Sequence, residues 1–142
     1  MTSGARGAAD AAAVTMPTLQ DIMTREVYTT SGDTSVAEVA RRMLKGRFGS
    51  AVVVDGTWIV GMFTERDVLR AAAAGIDPGT AVVADWMTPE PVTASPDMDA
   101  EDAAEIMMTQ GFRHLPVVDG NELLGIVSLR DLLRVRIRRA PA

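Results

Sequence analysis

Cysteine is absent and histidine occurs once, as His114. The first absence excludes disulfides, thiolate metal sites and a cysteine nucleophile. It also fits a reducing compartment, so a cytoplasmic location is expected. One histidine and scattered carboxylates show no metal-ligand spacing. No nucleophile, base and orienting group stand out together by residue type. Neither a metal site nor catalysis is therefore expected. Aromatic residues make up 4% of the chain, so a core must be built from Val, Leu, Ala and Met. No apolar run approaches the roughly 20 residues that cross a bilayer, and no membrane contact is expected. The stretch from Met1 to Val14 is Ala-rich, is broken by Arg6 and Asp10, and lacks the apolar segment of a signal peptide. Positive charge is short: 14 basic against 19 acidic residues leave a net charge of -5. That balance opposes nucleic-acid binding.

What the chain does have is size and repetition. Its 142 residues are 47% hydrophobic, enough for one domain or for two half-size repeats sharing a core. An internal repeat favours the second arrangement. Asp21-Ile22-Met23-Thr24 recurs as Asp85-Trp86-Met87-Thr88, and Val53-Val54-Asp55-Gly56 as Val117-Val118-Asp119-Gly120. Gly61, Arg66, Asp67 and Arg70 recur as Gly125, Arg130, Asp131 and Arg134. The offset is 64 throughout (85 minus 21, 131 minus 67), with no gap.

The elements of one repeat follow from local chemistry. Residues 1–16 are small and polar without periodicity and read as a flexible tail, with Met16 a candidate alternative start. Ser35 with Glu38 forms the pattern of a capping box, and Asp99 with Asp102 stands at the equivalent places. Val36, Val39, Ala40, Met43 and Leu44 keep helical spacing. Gly46 and Gly111 are expected to end these helices. Ser50 to Val54 suits a buried strand, Asp55-Gly56 a hairpin turn, and Trp58 to Phe63 the return strand. Thr64 then opens a second helix, closed near Gly75. The boundaries are a first repeat at 17–75, a second at 76–135 and a basic tail at 136–142. Each repeat reads β-α-β-β-α. One alone is too small to cover both faces of its sheet. The expected fold is therefore α/β (α+β), with two repeats packed sheet to sheet in pseudo-twofold symmetry around a shared core.

The Met-Thr opening, the helix after Ser-x-Asp, the Val-Val-Asp-Gly hairpin and Gly-x-x-(Thr/Ser)-x-x-Asp, each present twice, resemble a tandem pair of cystathionine-β-synthase (CBS) domains. The resemblance covers residues 18 to about 135. It implies a regulatory module with two inter-repeat clefts for adenine nucleotides or related adenosyl compounds. AMP, ADP, ATP, S-adenosylmethionine and NAD(H) are the candidate ligands, and no cofactor is required. It also implies a homodimer that signals to an effector protein. The alternative is a dimerisation or protein-interaction module without a small ligand.

Each candidate site residue has a plain structural reading beside the functional one. Thr64 with Asp67, and Ser128 with Asp131, form capping boxes on sequence grounds. A helix N-terminus also suits phosphate or hydroxyl groups, and the resemblance assigns the ribose hydroxyls to the two aspartates. Arg66 and Arg130 are phosphate candidates or first-turn surface residues. Arg113 and His114 precede the second hairpin where the first repeat has Gly49 and Ser50. Arginine offers a fork for phosphate oxygens, and histidine is partly charged near neutral pH. The two clefts are therefore expected to be unequal. Thr30 and Thr93 lie on segments that match the family's first strand, whose backbone meets the adenine edge. Gly61 and Gly125 read either as strand bulges or as places where a base nears the backbone. Arg41 and Lys45 against Glu101 and Glu105 give the two long helices opposite charge; such a face is either solvated or sets the register of a homodimer.

Overall fold

In the computed structural model, residues 17–139 are described. The tail expected at 1–16 lies outside them, as do residues 140–142. Thr18 caps a one-turn helix, α1 (Leu19–Ile22). A two-residue strand, β1 (Thr29–Thr30), precedes the amphipathic helix α2 (Val36–Gly46). The hairpin β2 (Ser50–Asp55) and β3 (Trp58–Thr64) follows, then α3 (Glu65–Ala73). After a 3-10 turn at Val83–Asp85, the second repeat runs through β4 (Thr88–Pro89), α4 (Ala100–Gln110), β5 (His114–Asp119), β6 (Glu122–Ser128) and α5 (Leu129–Arg139).

The caps are only partly those expected. The Ser35 hydroxyl accepts from the Glu38 N–H at 3.1 Å. The Glu38 carboxylate does not return the bond; it takes Arg42 at 2.7 Å and Arg41 at 3.1 Å. Asp99 caps α4 by position, without a side-chain bond. Gly111 ends α4 with φ 81, but α2 ends one residue after Gly46, on Arg47 with φ 59. Gly46 is needed for space instead: a Cβ there would overlap the Phe48 ring.

The repeats exchange their leading segments. β1, β2 and β3 of the first repeat are extended by β4 of the second, with Met62 opposite Thr88. In return, Thr24 of the first repeat pairs with Ile126 of the second, through two N–H···O bonds of 2.9 Å. The Leu19 N–H bonds the Met98 carbonyl and the Val83 N–H the Thr34 carbonyl, both at 2.9 Å. Spatial units therefore differ from sequence repeats.

Burial follows the exchange. One cluster joins Val36, Val39, Met43, Val53 and Phe63 to Val83, which comes from the second repeat. The other joins Met107, Leu115, Val127 and Leu132 to Leu19 and Met23, which come from the first. Among the described residues there are thus two cores in place of the single shared one, because each sheet covers one face with its own helices. Strand side chains alternate between faces. Val52 and Pro116 are fully buried yet belong to neither cluster. Their faces lie between the sheets, which pack against each other in pseudo-twofold symmetry.

Both hairpins slip register next to a glycine: Val53 pairs with Gly61 and Val54 with Ile59, leaving Val60 extra, and Val117 pairs with Gly125 and Val118 with Leu123, leaving Leu124 extra. The bulges therefore fall beside Gly61 and Gly125, which themselves stay paired in the ladder. The open space on these glycines is filled by Met87 and Met23 of the exchanged segments, not left for a base.

Candidate functional site

The return strand β3 delivers Thr64 to the N-cap of α3, and the cap geometry is complete. The Asp67 N–H donates to the Thr64 hydroxyl at 3.4 Å, and Asp67 Oδ2 accepts from the Thr64 N–H at 3.0 Å and from its hydroxyl at 3.3 Å. Asp67 Oδ1 takes Arg70 Nη1 at 2.8 Å. Arg70 also reaches the Trp86 carbonyl and lies over the Trp86 ring, 5.7 Å from its centroid. The Asp67 side chain is only 7% exposed. A carboxylate so placed is held by neutral and charged donors together.

A cleft of about 600 Å³ opens beside this helix start. Thr64, Arg66, Asp67 and Arg70 line one wall; Phe112, Arg113 and His114 of the second repeat line the opposite one. Five of the residues singled out from sequence (Thr64, Arg66, Asp67, Arg113 and His114) thus meet in one place. The aspartate that lines this cleft with the Arg113–His114 pair is Asp67, of the other repeat, while Asp131 also acts on His114 electrostatically.

Other expected residues lie elsewhere. Ser128, Arg130 and Asp131 form the equivalent start of α5. The Asp131 N–H donates to the Ser128 hydroxyl at 3.1 Å, but the carboxylate is held more loosely: the Ser128 N–H lies 3.4 Å from Asp131 Oδ2, Arg134 lies 3.7 Å from Oδ1, and the carboxylate is 29% exposed. The Thr30 hydroxyl is used internally, donating to Thr34 at 2.9 Å. Thr93 is exposed, and its neighbour Val92 lines the cleft in its place. Sequence reading missed Arg70, Glu65, Glu90 and Phe112 as wall residues. Arg70 had a usable signal, the three-residue spacing from Asp67 on a helix. Glu90 had none, because only the exchange brings it here.

His114 departs from the expectation of partial charge. Burial pushes its pKa below the usual value; Glu65 and Asp131 oppose this and Arg113 adds to it. It is therefore mainly neutral at pH 7, and a bound phosphate would have to charge it. Two consequences follow. With the folded pKa lowered, the unfolded chain binds the extra proton first, so stability is full above about 6.5 and falls as pH drops below it. Affinity for a phosphate bound against it, with ATP as the probe, is in contrast expected to rise as pH falls from 8 to 6, by no more than about tenfold per pH unit for one coupled proton. Calorimetric titration of wild type and His114→Gln across that range checks it. Parallel pH profiles in the two proteins would remove His114 from phosphate binding.

Comparison with known proteins identifies the fold's family. The CBS domain model matches residues 19–74 and again 83–138. The chain belongs to the CBS-domain family. The CBS domain-containing protein YhcV of Bacillus subtilis is 40% identical over 118 residues, covering 82% of this chain and 84% of YhcV. The CBS domain pair of protein MJ0100, solved in complex with 5-methylthioadenosine and S-adenosyl-L-methionine, superimposes with a TM-score of 0.77 at 26% identity and covers 84% of this chain and 98% of that one. A hexameric CBS-CP12 protein from bloom-forming cyanobacteria gives 0.82 at 30% identity, over 90% and 77% of the chains. No helix among the described residues of this CBS pair is long and apolar enough to cross a membrane.

Proposed function

We propose that this CBS pair is a cytoplasmic sensor without catalytic activity. It binds an adenine nucleotide or related adenosyl compound between its repeats and passes the bound state to a partner protein. The observation that carries the reading is the convergence of Thr64, Arg66 and Asp67 with Arg113 and His114 around one cleft. Its size falls within the range of small-molecule sites. Asp67 would take the ribose hydroxyls, and Arg66 and Arg113 the phosphate oxygens. The adenosyl complexes of the MJ0100 pair support the ligand class. A ligand there touches both repeats, so it favours one arrangement of the pair over another. Calorimetry with AMP, ADP, ATP, S-adenosylmethionine and NADH tests this; saturable binding of at least one below millimolar concentration is the expected result.

A second reading has its own support. Both Asp67 oxygens are already engaged within α3. The helices also expose apolar residues at equivalent positions, Leu44 (81%) with Met108 (62%) and Leu69 (70%) with Leu133 (39%). That pattern suits a homodimer face, which the sensor also carries, and on this reading the pair acts through that face alone. No heat and no change in melting temperature with any of the five compounds would decide for it.

A further inference from the structure

The pseudo-twofold axis carries every wall of the Asp67 cleft onto a counterpart beside Asp131, and the counterparts are not alike. Arg113 and His114 correspond to Gly49 and Ser50, so the second cleft lacks that pair of basic side chains. Val92 corresponds to Tyr28, and Gln110 to Gly46. The last two differences act together. Because position 46 has no side chain, the Phe48 ring lies against the end of α2. There it stacks with Tyr28, the ring centroids 5.7 Å apart and the planes 29° from parallel. Both rings pack against the core of the first unit.

The Tyr28 hydroxyl is buried with no hydrogen-bond partner among the described residues. Leaving such a group unpaired opposes folding, so the ring is held by stacking and packing and not by its oxygen. The buried oxygen also shows that the space around the ring end is closed. In the first cleft the same two positions are open: Phe112 and Val92 both line the cavity, and Val92 is 38% exposed.

We propose that Tyr28 is a built-in plug. Beside Asp131 it fills the space that Val92 leaves open beside Asp67, so each chain takes one adenosine-type ligand, in the Asp67 cleft. The inference rests on the ligand-binding reading above.

Titration calorimetry with ATP and, separately, with S-adenosylmethionine reads the stoichiometry. Wild type is expected to show one site per chain, lost in Asp67→Ala. Tyr28→Val should add a second site, retained in the Tyr28→Val/Asp67→Ala double variant. Because Tyr28 belongs to a core, the mirror variant Val92→Tyr tests the same idea at an exposed position and decides alone if Tyr28→Val does not fold. It should weaken binding at least tenfold while circular dichroism and melting temperature stay unchanged. Two sites in wild type, or unchanged binding in both variants, overturns the plug and leaves the ligand reading standing. Weaker binding in Tyr28→Val, with no second site, overturns it too, by making the hydroxyl a ligand contact. Absence of heat in every protein overturns the ligand reading and the plug with it.

Discussion

Gly125→Ala should lower the melting temperature by about 10 °C. The added Cβ would stand 2.7 Å from the Thr24 carbonyl oxygen and 2.8 Å from Met23 Sδ. The sulfur can swing away, but the carbonyl cannot. It accepts the Ile126 N–H at 2.9 Å, while the Thr24 N–H donates to the Ile126 carbonyl at the same distance. Moving it breaks the bridge that fastens the first repeat's leading segment to the second sheet. Overpacking with backbone displacement costs about 3 kcal/mol at the upper end of its usual range. For a domain of this size each kcal/mol is worth roughly 3 to 5 °C. Gly61→Ala is the internal control. There the added Cβ meets only side-chain atoms of Met87, and an unbranched thioether adapts readily, so about 1 kcal/mol is expected. Equal shifts in the two variants, by differential scanning calorimetry, would show that the exchange is not held as described.

Asp67→Ala carries the second large effect, on binding and stability together. Its carboxylate receives the Thr64 N–H and hydroxyl and the Arg70 guanidinium. Loss of a cap costs about 1 kcal/mol, and loss of charge-assisted bonds to a buried group adds to it, for roughly 2 kcal/mol in all. The Arg70 pair contributes little of this, because its guanidinium side is mostly exposed. Ligand affinity should fall more than tenfold. Asp67→Asn separates the two roles: its amide oxygen can still accept from Thr64, so stability should largely return while affinity for ribose and phosphate groups should not. Asp131→Ala should cost less than about 1 kcal/mol, since its contacts are longer and wetter. If Asp131→Ala destabilises as much as Asp67→Ala in chemical denaturation, the asymmetry of the two caps is not real.

Much of this architecture was readable residue by residue. Val36, Val39 and Met43 at helical spacing gave α2, and Asp55-Gly56 gave the hairpin turn. Thr64 with Asp67 gave the start of α3. Such signals are local: a cap or a turn is decided by residues within four positions of each other. Arg113 and His114 stood out because the gapless repeat put Gly49 and Ser50 in the same places. Less was readable where side chains compete. Glu38 could return a bond to Ser35 or pair with arginine, and spacing alone does not choose. Arg47 takes the left-handed position that Gly46 was expected to hold, because Gly46 is needed for the Phe48 ring.

By itself, then, the sequence determined the elements, the duplication and the family, because periodicity, turn chemistry and a constant offset of 64 are properties of one dimension. Three matters belonged to the tertiary structure. The exchange of leading segments decided that Met23 and Met87 cover the glycines of the opposite unit. The packing of the two sheets decided that Asp67 lines one cleft with Arg113 and His114. Burial decided that His114 sits below its usual pKa. The physical reason is common to all three. Each depends on which surface lies against which, and contacts between residues 26 or more positions apart leave no periodic trace in the chain (87 minus 61 is 26).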